Sequence, residues 1–345
     1  MRTVDGTAGG GQLVRTAAAM SGVTGDAIRM ENVRAARDQP GLRAQHVAAI
    51  ETVAALADAT TEGVALGSEA FTFEPGTLSG GAHEGAIETA GSVTLAFDAA
   101  LPLAARLNAP ATVTMSGGTD VTWSPPFDYF RSVKLPLLRT IELRAETVLG
   151  RRGFYPSGGG LAGLSLAPST LAPLELSDRG ALESVEVHSV AATSLESASV
   201  ADRQAVAAIE TLEASVDAPI DVDISYADAA DKGSAIVIVA SFESSVAGVS
   251  ALGEPGKPSE AVAQTATDRL DAFRGTDAAV DVHLGDQLVP FLALAGGKVR
   301  IPRVTDHVET HLSLVREFGF SVSLTRLDDG EALLESDGGD QGTIP

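Results

Sequence analysis

Cysteine is absent from the 345 residues, which excludes disulfides, thiolate metal sites and cysteine nucleophiles, and with them any disulfide-linked partner. Lysine is scarce, with only Lys134, Lys232, Lys257 and Lys298 present. No apolar run approaches the ~18–20 residues that span a bilayer, so no membrane association is expected. The opening "MRTVDGTAGGGQ" lacks the basic-then-apolar layout of a secretory signal, which predicts a cytoplasmic protein. What abounds is acid. Asp and Glu number 46 against 24 Lys and Arg, a formal net charge of −22. Such a surface repels itself in dilute buffer, but in molar salt the Debye length falls to ~3 Å and the repulsion is screened. The composition reads as halophilic, with an acidic protein of an ordinary cell as the alternative.

Net negative charge argues against a phosphate backbone as partner, because that affinity comes from Lys and Arg releasing counterions. The distribution is uneven, however. Residues 131–152 carry Arg131, Lys134, Arg139, Arg144, Arg151 and Arg152 against only Glu142 and Glu146, whereas residues 183–231 are strongly acidic with Arg203 as their one base. An anion site on part of the surface is therefore allowed.

The length suits a well-buried core and two domains. Apolar spacing predicts helices over 11–23, 45–57 and 258–273, and alternation predicts strands over 109–117 and 140–150. "IRMENVRAARDQPGL" reads as a strand and then a loop closed by Pro40-Gly41, and "SVTLAFDAAL" (92–101) as a strand or a short helix. "SAIVIVASFESS" has the look of a buried strand. Interleaved strands and helices with glycine turns indicate an α+β body, sandwich-like in its α/β layers. Near residue 180 the texture turns acidic and Ser/Ala-rich. We therefore expect an inserted acidic α/β domain over 179–277, and a large domain over 1–178 and 278–345. The acidic end "DDGEALLESDGGDQGTIP" reads as a solvated tail.

Two motifs bear on chemistry. "HVETH" puts His307 and His311 on one helix face, the spacing of a zinc protease, but the Glu that should follow the first histidine falls second, roughly 200° round the helix from His307. A metal is disfavoured, and a histidine without chemistry on a helix flank remains the bland reading. "GTAGGGQLVRTA" resembles a phosphate loop, since glycines let N–H groups at a helix start approach an anion. It lacks the Lys-Ser/Thr of one nucleotide-binding pattern and the strict spacing of the other. Arg15, Arg34 and Arg37 nearby add guanidiniums that can brace a dianion.

Seven blocks, "DGTAGGGQLVRTA", "VRAARDQPGLRAQH", "ETAGS", "GGTDVTWSPPFDY", "RGFYPSGGG", "HLGDQLVPFLALAGG" and "VTDHVETHL", resemble in that order the RNA 3′-terminal phosphate cyclase family over nearly the whole chain. The resemblance implies a large domain of repeated βαβαββ units with a smaller inserted α/β domain. It also implies an ATP-dependent conversion of an RNA 3′-phosphate into a 2′,3′-cyclic phosphodiester, with release of AMP and pyrophosphate. His307 matches the nucleophile that takes AMP. His283, Leu284, Gly285, Asp286 and Gln287, with Asp98, Pro125 and Pro126, match the ATP side. Gln12, Arg15, Arg34, Arg37 and Gln45 match the side that holds the RNA phosphate. A divalent cation, Mg or Mn, is implied with the nucleotide.

Three departures stand out. The glycine loop is two residues shorter than the family's and lacks its glutamate; Asp98 replaces a usual glutamine; His311 replaces a usual asparagine. On these grounds Asp98 is expected to take over metal or ribose contacts. The rival reading is a non-catalytic RNA-binding relative involved in rRNA processing.

Overall fold

The computed structural model describes residues 1–339 as three successive βαβαββ units interrupted by one insertion. The first unit comprises β1 (Arg2–Asp5), α1 (Gly11–Thr24), β2 (Ile28–Glu31), α2 (Ala44–Ala57), β3 (Thr60–Glu62) and β4 (Phe71–Glu74). In the second, β5 (Gly81–Ala86), α3 (Val93–Ala100) and β6 (Ala111–Gly117) lead into a broken helix of α4 (Phe127–Tyr129), a π turn and α5 (Leu135–Arg139). The hairpin β7 (Ala145–Arg151) and β8 (Gly160–Leu166) closes it. The third opens with β9 (Leu174–Leu176), and the insertion follows at once: β10 (Leu182–Ala192), α6 (Val200–Glu213), β11 (Ile220–Ala227), β12 (Ser234–Phe242), β13 (Val246–Leu252) and α7 (Ser259–Arg274). It resumes with α8 (Val282–Gln287), α9 (Val289–Ala295), β14 (Gly297–Ile301), α10 (Asp306–Glu317), β15 (Val322–Arg326) and β16 (Ala332–Ser336).

Strand order shows the repeat. The sheets run β1-β2-β4-β3, β5-β6-β8-β7 and β9-β14-β16-β15, each with its first pair parallel and the other two pairs antiparallel. A parallel pair needs a crossover, which is why a helix follows each first strand, whereas the antiparallel third and fourth strands can be joined directly. Helix α1 packs against α2, α3 and α10 and so sits between units. Its run of Ala, Met and Val is buried nearly all round, and it stops at Gly25, whose φ of 79° suits the left-handed C-cap.

Strand β12 joins two cores by simple alternation. Ile236 and Ile238 pack with Val185, Leu212, Val262 and Leu270 in a core of the insertion, while Val237 and Val239 join the main core. That explains the near-continuous apolar run "AIVIVA". The segment 92–101, open between strand and helix, is helical, with the Ser92 hydroxyl accepting from the Leu95 N–H at 3.4 Å. The strand expected over 140–150 begins only at Ala145, because Glu142 turns the chain with φ 64°.

The acidic end corrects its expectation. Residues 332–336 form β16, the strand between β14 and β15, with Ala332 and Leu334 buried. Apolar residues at alternate positions outweigh the flanking acids there. Residues 340–345 of the expected tail lie outside the described residues.

Candidate active site

The first loop, between β1 and α1, is tied down at Asp5. Its Oδ1 accepts from the Thr7 N–H at 3.0 Å, the Thr7 hydroxyl at 2.6 Å and Asn32 Nδ2 at 3.1 Å, which joins this loop to the turn after β2. The contacts from Thr7 and then Asn32 hold the Asp5 carboxyl below its usual pKa. No side chain caps the start of α1. Side chains are excluded there for a reason: a Cβ on Gly10 would lie 2.4 Å from Gln12 Oε1 and 3.2 Å from Arg37 Nη2, and one on Gly11 would lie 2.1 Å from His46 Nε2. The unpaired N–H groups of α1 thus open beside Gln12, Arg37 and His46.

His46, on the first turn of α2, accepts from the Arg43 N–H through Nδ1 at 3.0 Å. Burial, then Arg15, Arg34 and Arg43, push its pKa down to about 3, so the ring is neutral and its proton sits on Nε2, beside Gly11. Arg34 holds a left-handed φ of 55° and donates to the carbonyls of Gln39 at 3.1 Å and Gly41 at 2.8 Å. Among the described residues, Arg15, Arg34, Arg37 and Arg43 form no ion pair with a carboxylate. In a chain with nearly twice as many acids as bases, four such guanidiniums in one place mark a site for an anion brought from outside.

The basic stretch 131–152 is the opposite case. Arg152 is buried between Asp120, at 3.0 Å, and Asp128, at 2.6 Å; Arg131 lies on Asp128 at 2.7 Å; Lys134 pairs with Asp98. Three of its six bases are thus answered by carboxylates, while Arg139 and Arg151 donate to the carbonyls of Ala145 and Gly159.

Opposite the arginines, Thr305 caps α10 by accepting from the Val308 N–H at 3.2 Å, and His307 stands on the first turn. The ring is about half exposed, with Nδ1 3.8 Å from Asp286 Oδ2. Burial, then Arg15 and Arg37, lower the His307 pKa below the ordinary histidine value, so the imidazole is neutral at pH 7. Burial pushes the Asp286 carboxyl up to about 7, against the pull of Lys134 and Arg15. Asp286 is held by its helix: Asp281 caps α8, accepting from the N–H groups of His283 at 2.9 Å and Leu284 at 3.1 Å. Asp281 also accepts from the Tyr129 hydroxyl at 2.8 Å and from Gly248 of the insertion at 3.0 Å. Burial, followed by the charge of Asp281, drives the Tyr129 pKa well up, so its hydroxyl stays a donor.

His311 is buried one turn below His307 and serves a different purpose. A carbonyl can only accept, so its Nδ1–H donates to Asp286 O at 2.8 Å, which leaves Nε2 to accept from the Thr16 hydroxyl at 3.1 Å. Burial pushes its pKa down to about 4. This single ring joins α10, α8 and α1. The two histidines of "HVETH" therefore do not share a ligand, and Glu309 pairs outward with Arg326 at 2.9 Å.

Lys134 is fully buried and donates to Asp98, and to Gln287 Oε1 at 2.9 Å. A cavity of about 20 Å³ bordered by Arg15, Thr16, Asp98, Gln287, Phe291 and His311 has room for one water. Asp98 is already ion-paired, and no group of three His, Asp or Glu among the described residues could hold a metal. The side chains thus do not form a protein cage for a divalent cation, and Asp98 is held by Lys134 through Oδ1.

Of the other expected residues, His283 is exposed and meets Tyr129 edge-on with ring centroids 6.5 Å apart. Pro125 accepts the Thr94 hydroxyl at 2.9 Å, one turn before Asp98 on α3, and Pro126 is buried at the start of α4. Gln45 packs by its Cβ on Gly91 of the "ETAGS" loop. Leu284 lies in the apolar core, and Gly285 packs on Ile301, so these two seat the helix that carries Asp286. Sequence reasoning passed over His46, Arg43, Lys134, Tyr129 and Asp281. The available signals were slight: His46 follows Gln45, and Lys134 is one of only four lysines.

Fold and site together define an α+β protein that sets a cluster of arginines near the N terminus of α1 and a neutral, half-exposed histidine on the first turn of α10. The family profile described as RNA 3′-terminal phosphate cyclase matches residues 7–323. The chain is 47% identical over 97% of its length to the whole of an RNA 3′-terminal phosphate cyclase from Halobacterium salinarum. It is 40% identical over 92% of its length to 93% of the Pyrococcus furiosus protein of that name. The chain belongs to the RNA 3′-terminal phosphate cyclase family. A solved EPSP synthase from Acinetobacter baumannii is also similar, at 13% identity over 98% of this chain and 65% of that one, with a TM-score of 0.33 that carries no argument. No helix among the described residues is long and apolar enough to cross a membrane.

Proposed function

We propose that this chain is an ATP-dependent RNA 3′-terminal phosphate cyclase, converting a terminal 3′-phosphate to a 2′,3′-cyclic phosphodiester with release of AMP and pyrophosphate. The observation that carries the reading is the neutral His307, within the charge of Arg15 and Arg37, in a cluster with Arg34 and Arg43, four guanidiniums that form no ion pair among the described residues of an otherwise acidic protein. Family membership supports the same chemistry.

With Nδ1–H turned toward Asp286, the Nε2 lone pair of His307 is free to attack the α-phosphorus of ATP. The N–P bond forms as the bond to the bridging oxygen breaks, and pyrophosphate leaves. The ring gains positive charge, which the Asp286 carboxyl, poised near neutrality, relieves by accepting the Nδ1 proton. An oxygen of the RNA 3′-phosphate, held by Arg15, Arg34, Arg37 and Arg43 at the open end of α1, then takes the adenylyl group, and the His307 N–P bond breaks. The vicinal 2′-OH attacks the activated RNA phosphorus, and AMP departs as the ring closes. That last step needs mainly position, because nucleophile and electrophile are already joined. His283, Gln287 and the wall at Pro125 and Pro126 are assigned to the nucleotide, and Gln12 and Gln45 to the RNA end. A divalent cation bound with ATP would supply charge neutralisation at the triphosphate.

We also propose that residues 179–277 act as the inserted unit of the fold, supported by the separate apolar core around Ile236 and Leu270. Absence of cysteine and the acid-rich surface support a cytoplasmic setting. The test is incubation with ATP and a 3′-phosphorylated oligoribonucleotide in molar KCl: a cyclic end with stoichiometric AMP is expected, and an unchanged 3′-phosphate overturns the reading.

A further inference from the structure

Trp123 is the chain's single tryptophan, is 95% exposed, and has a left-handed φ of 66°. A bulky residue in that region is a conformational outlier, and aromatics make up only 4% of the sequence, so an unburied one is conspicuous. The turn that holds it is rigid. The Ser124 hydroxyl donates to Val121 O at 3.0 Å, Thr94 fixes the Pro125 carbonyl, and the Phe127 N–H reaches Asp120 Oδ1 at 3.4 Å. Asp120 is itself clamped by Arg152 and by the Thr119 hydroxyl at 2.7 Å. Phe154 bridges to Asp120 from the neighbouring loop, and the next residue, Tyr155, is 67% exposed. Two bare rings therefore flank one buried ion pair.

A chain of contacts also links the turn to the arginine cluster. Gln45, beside His46, packs on Gly91; Gly91 accepts from the Gly118 N–H at 2.8 Å; and Gly118 abuts Val121, two residues before Trp123. On the cyclase reading, an RNA whose terminal phosphate is held by the arginines has this exposed ring within the same connected part of the protein. Salt sharpens the point. Phosphate contacts weaken as counterions accumulate, and a chain of net charge −22 is built for high salt, whereas a ring stacked on a base releases no counterion.

We propose that Trp123 is the platform on which an unpaired base near the RNA 3′ end stacks, without base preference, with the exposed Tyr155 of the neighbouring loop as a second ring. The proposal rests on the cyclase reading above. Trp123→Ala should raise the RNA KM about tenfold, with Trp123→Phe restoring it. Transfer of AMP from ATP to His307 in the absence of RNA should keep its rate. A matched RNA whose last nucleotides lack bases should bind the wild type and Trp123→Ala alike. In the wild type, the lone tryptophan fluorescence should be quenched by a 3′-phosphorylated oligoribonucleotide in molar KCl. An unchanged RNA KM, a loss confined to ATP, or RNA binding without quenching overturns the proposal. Failure to form any histidine adduct would instead strike the cyclase reading, and the quenching measurement would still report on stacking.

Discussion

His307 Nδ1 stands 3.8 Å from Asp286 Oδ2, which couples a histidine whose pKa is pushed down to a carboxyl whose pKa is pushed up to about 7. The carboxyl is buried, and stability bears the consequence. Its folded pKa lies above the ordinary 3.8, so the folded state favours the protonated form, and ionising it in place is a penalty that grows from about pH 4 and levels off above 7. Asp286→Asn should therefore slow AMP transfer to His307 by ~100-fold. It should also raise unfolding stability by on the order of 2–4 kcal/mol at pH 8 and by far less at pH 4. Denaturant titrations at both values check this.

The same pair sets the pH profile. In the wild type, the rate of adduct formation should rise with pH through about 7 as Asp286 ionises. In Asp286→Asn that limb should vanish, leaving only an acid limb below the ordinary histidine value, where His307 itself protonates. Single-turnover rates across pH distinguish the two limbs.

Arg37 lies beside Gly10 with no carboxylate partner among the described residues, and on the proposed reading its charge serves the RNA end. Arg37→Gln should weaken binding of 3′-phosphorylated RNA by roughly tenfold or more and affect the same RNA with a 3′-hydroxyl much less. Equal weakening of both would show that Arg37 serves the backbone at large.

His311 links Asp286 O to the Thr16 hydroxyl, and burial keeps its ring neutral. Its folded pKa of about 4 lies below the ordinary 6.5, so the unfolded chain takes up the proton first and stability falls as pH drops from 6.5 toward 4. His311→Asn should remove on the order of 3 kcal/mol of that acid sensitivity while keeping most activity. His311→Leu should lose both partners and slow AMP transfer, because α10 and α8 are no longer tied.

Lys134 is a buried cation answered by Asp98 and Gln287. Lys134→Met leaves the Asp98 carboxylate without its counter-charge and should lower stability by ~3–5 kcal/mol. Adding Asp98→Gln should recover most of it, and chemical denaturation of the single and double variants in molar KCl measures the difference.

The sequence carried more of the fold than of the site. Alternation and helical spacing exposed α1, α2, β6, β12 and α7, because each buries one face or all of itself. Residues 92–101 stayed ambiguous because a helix buried nearly all round leaves no clean polar face to read. β16 was hidden by the acids around it, and its partners β14 and β15 are fixed only by the tertiary fold. In the site, His307 and the arginines stood out by resemblance to a known pattern. His46, Lys134 and the Tyr129–Asp281 pair act across more than 80 residues of sequence or through burial alone, and neither leaves a local trace. Leu284 and Gly285 share a block with ligand-facing residues, yet helical periodicity turns them into the core.

The most direct test is mass spectrometry of the folded protein after exposure to ATP and a divalent cation in molar KCl, without RNA. One AMP on the peptide containing His307, absent from a His307→Ala protein and discharged by adding 3′-phosphorylated RNA, is the expected result. A protein that cyclises RNA but never carries AMP on that peptide, or carries it elsewhere, would contradict the assignment of His307 as nucleophile.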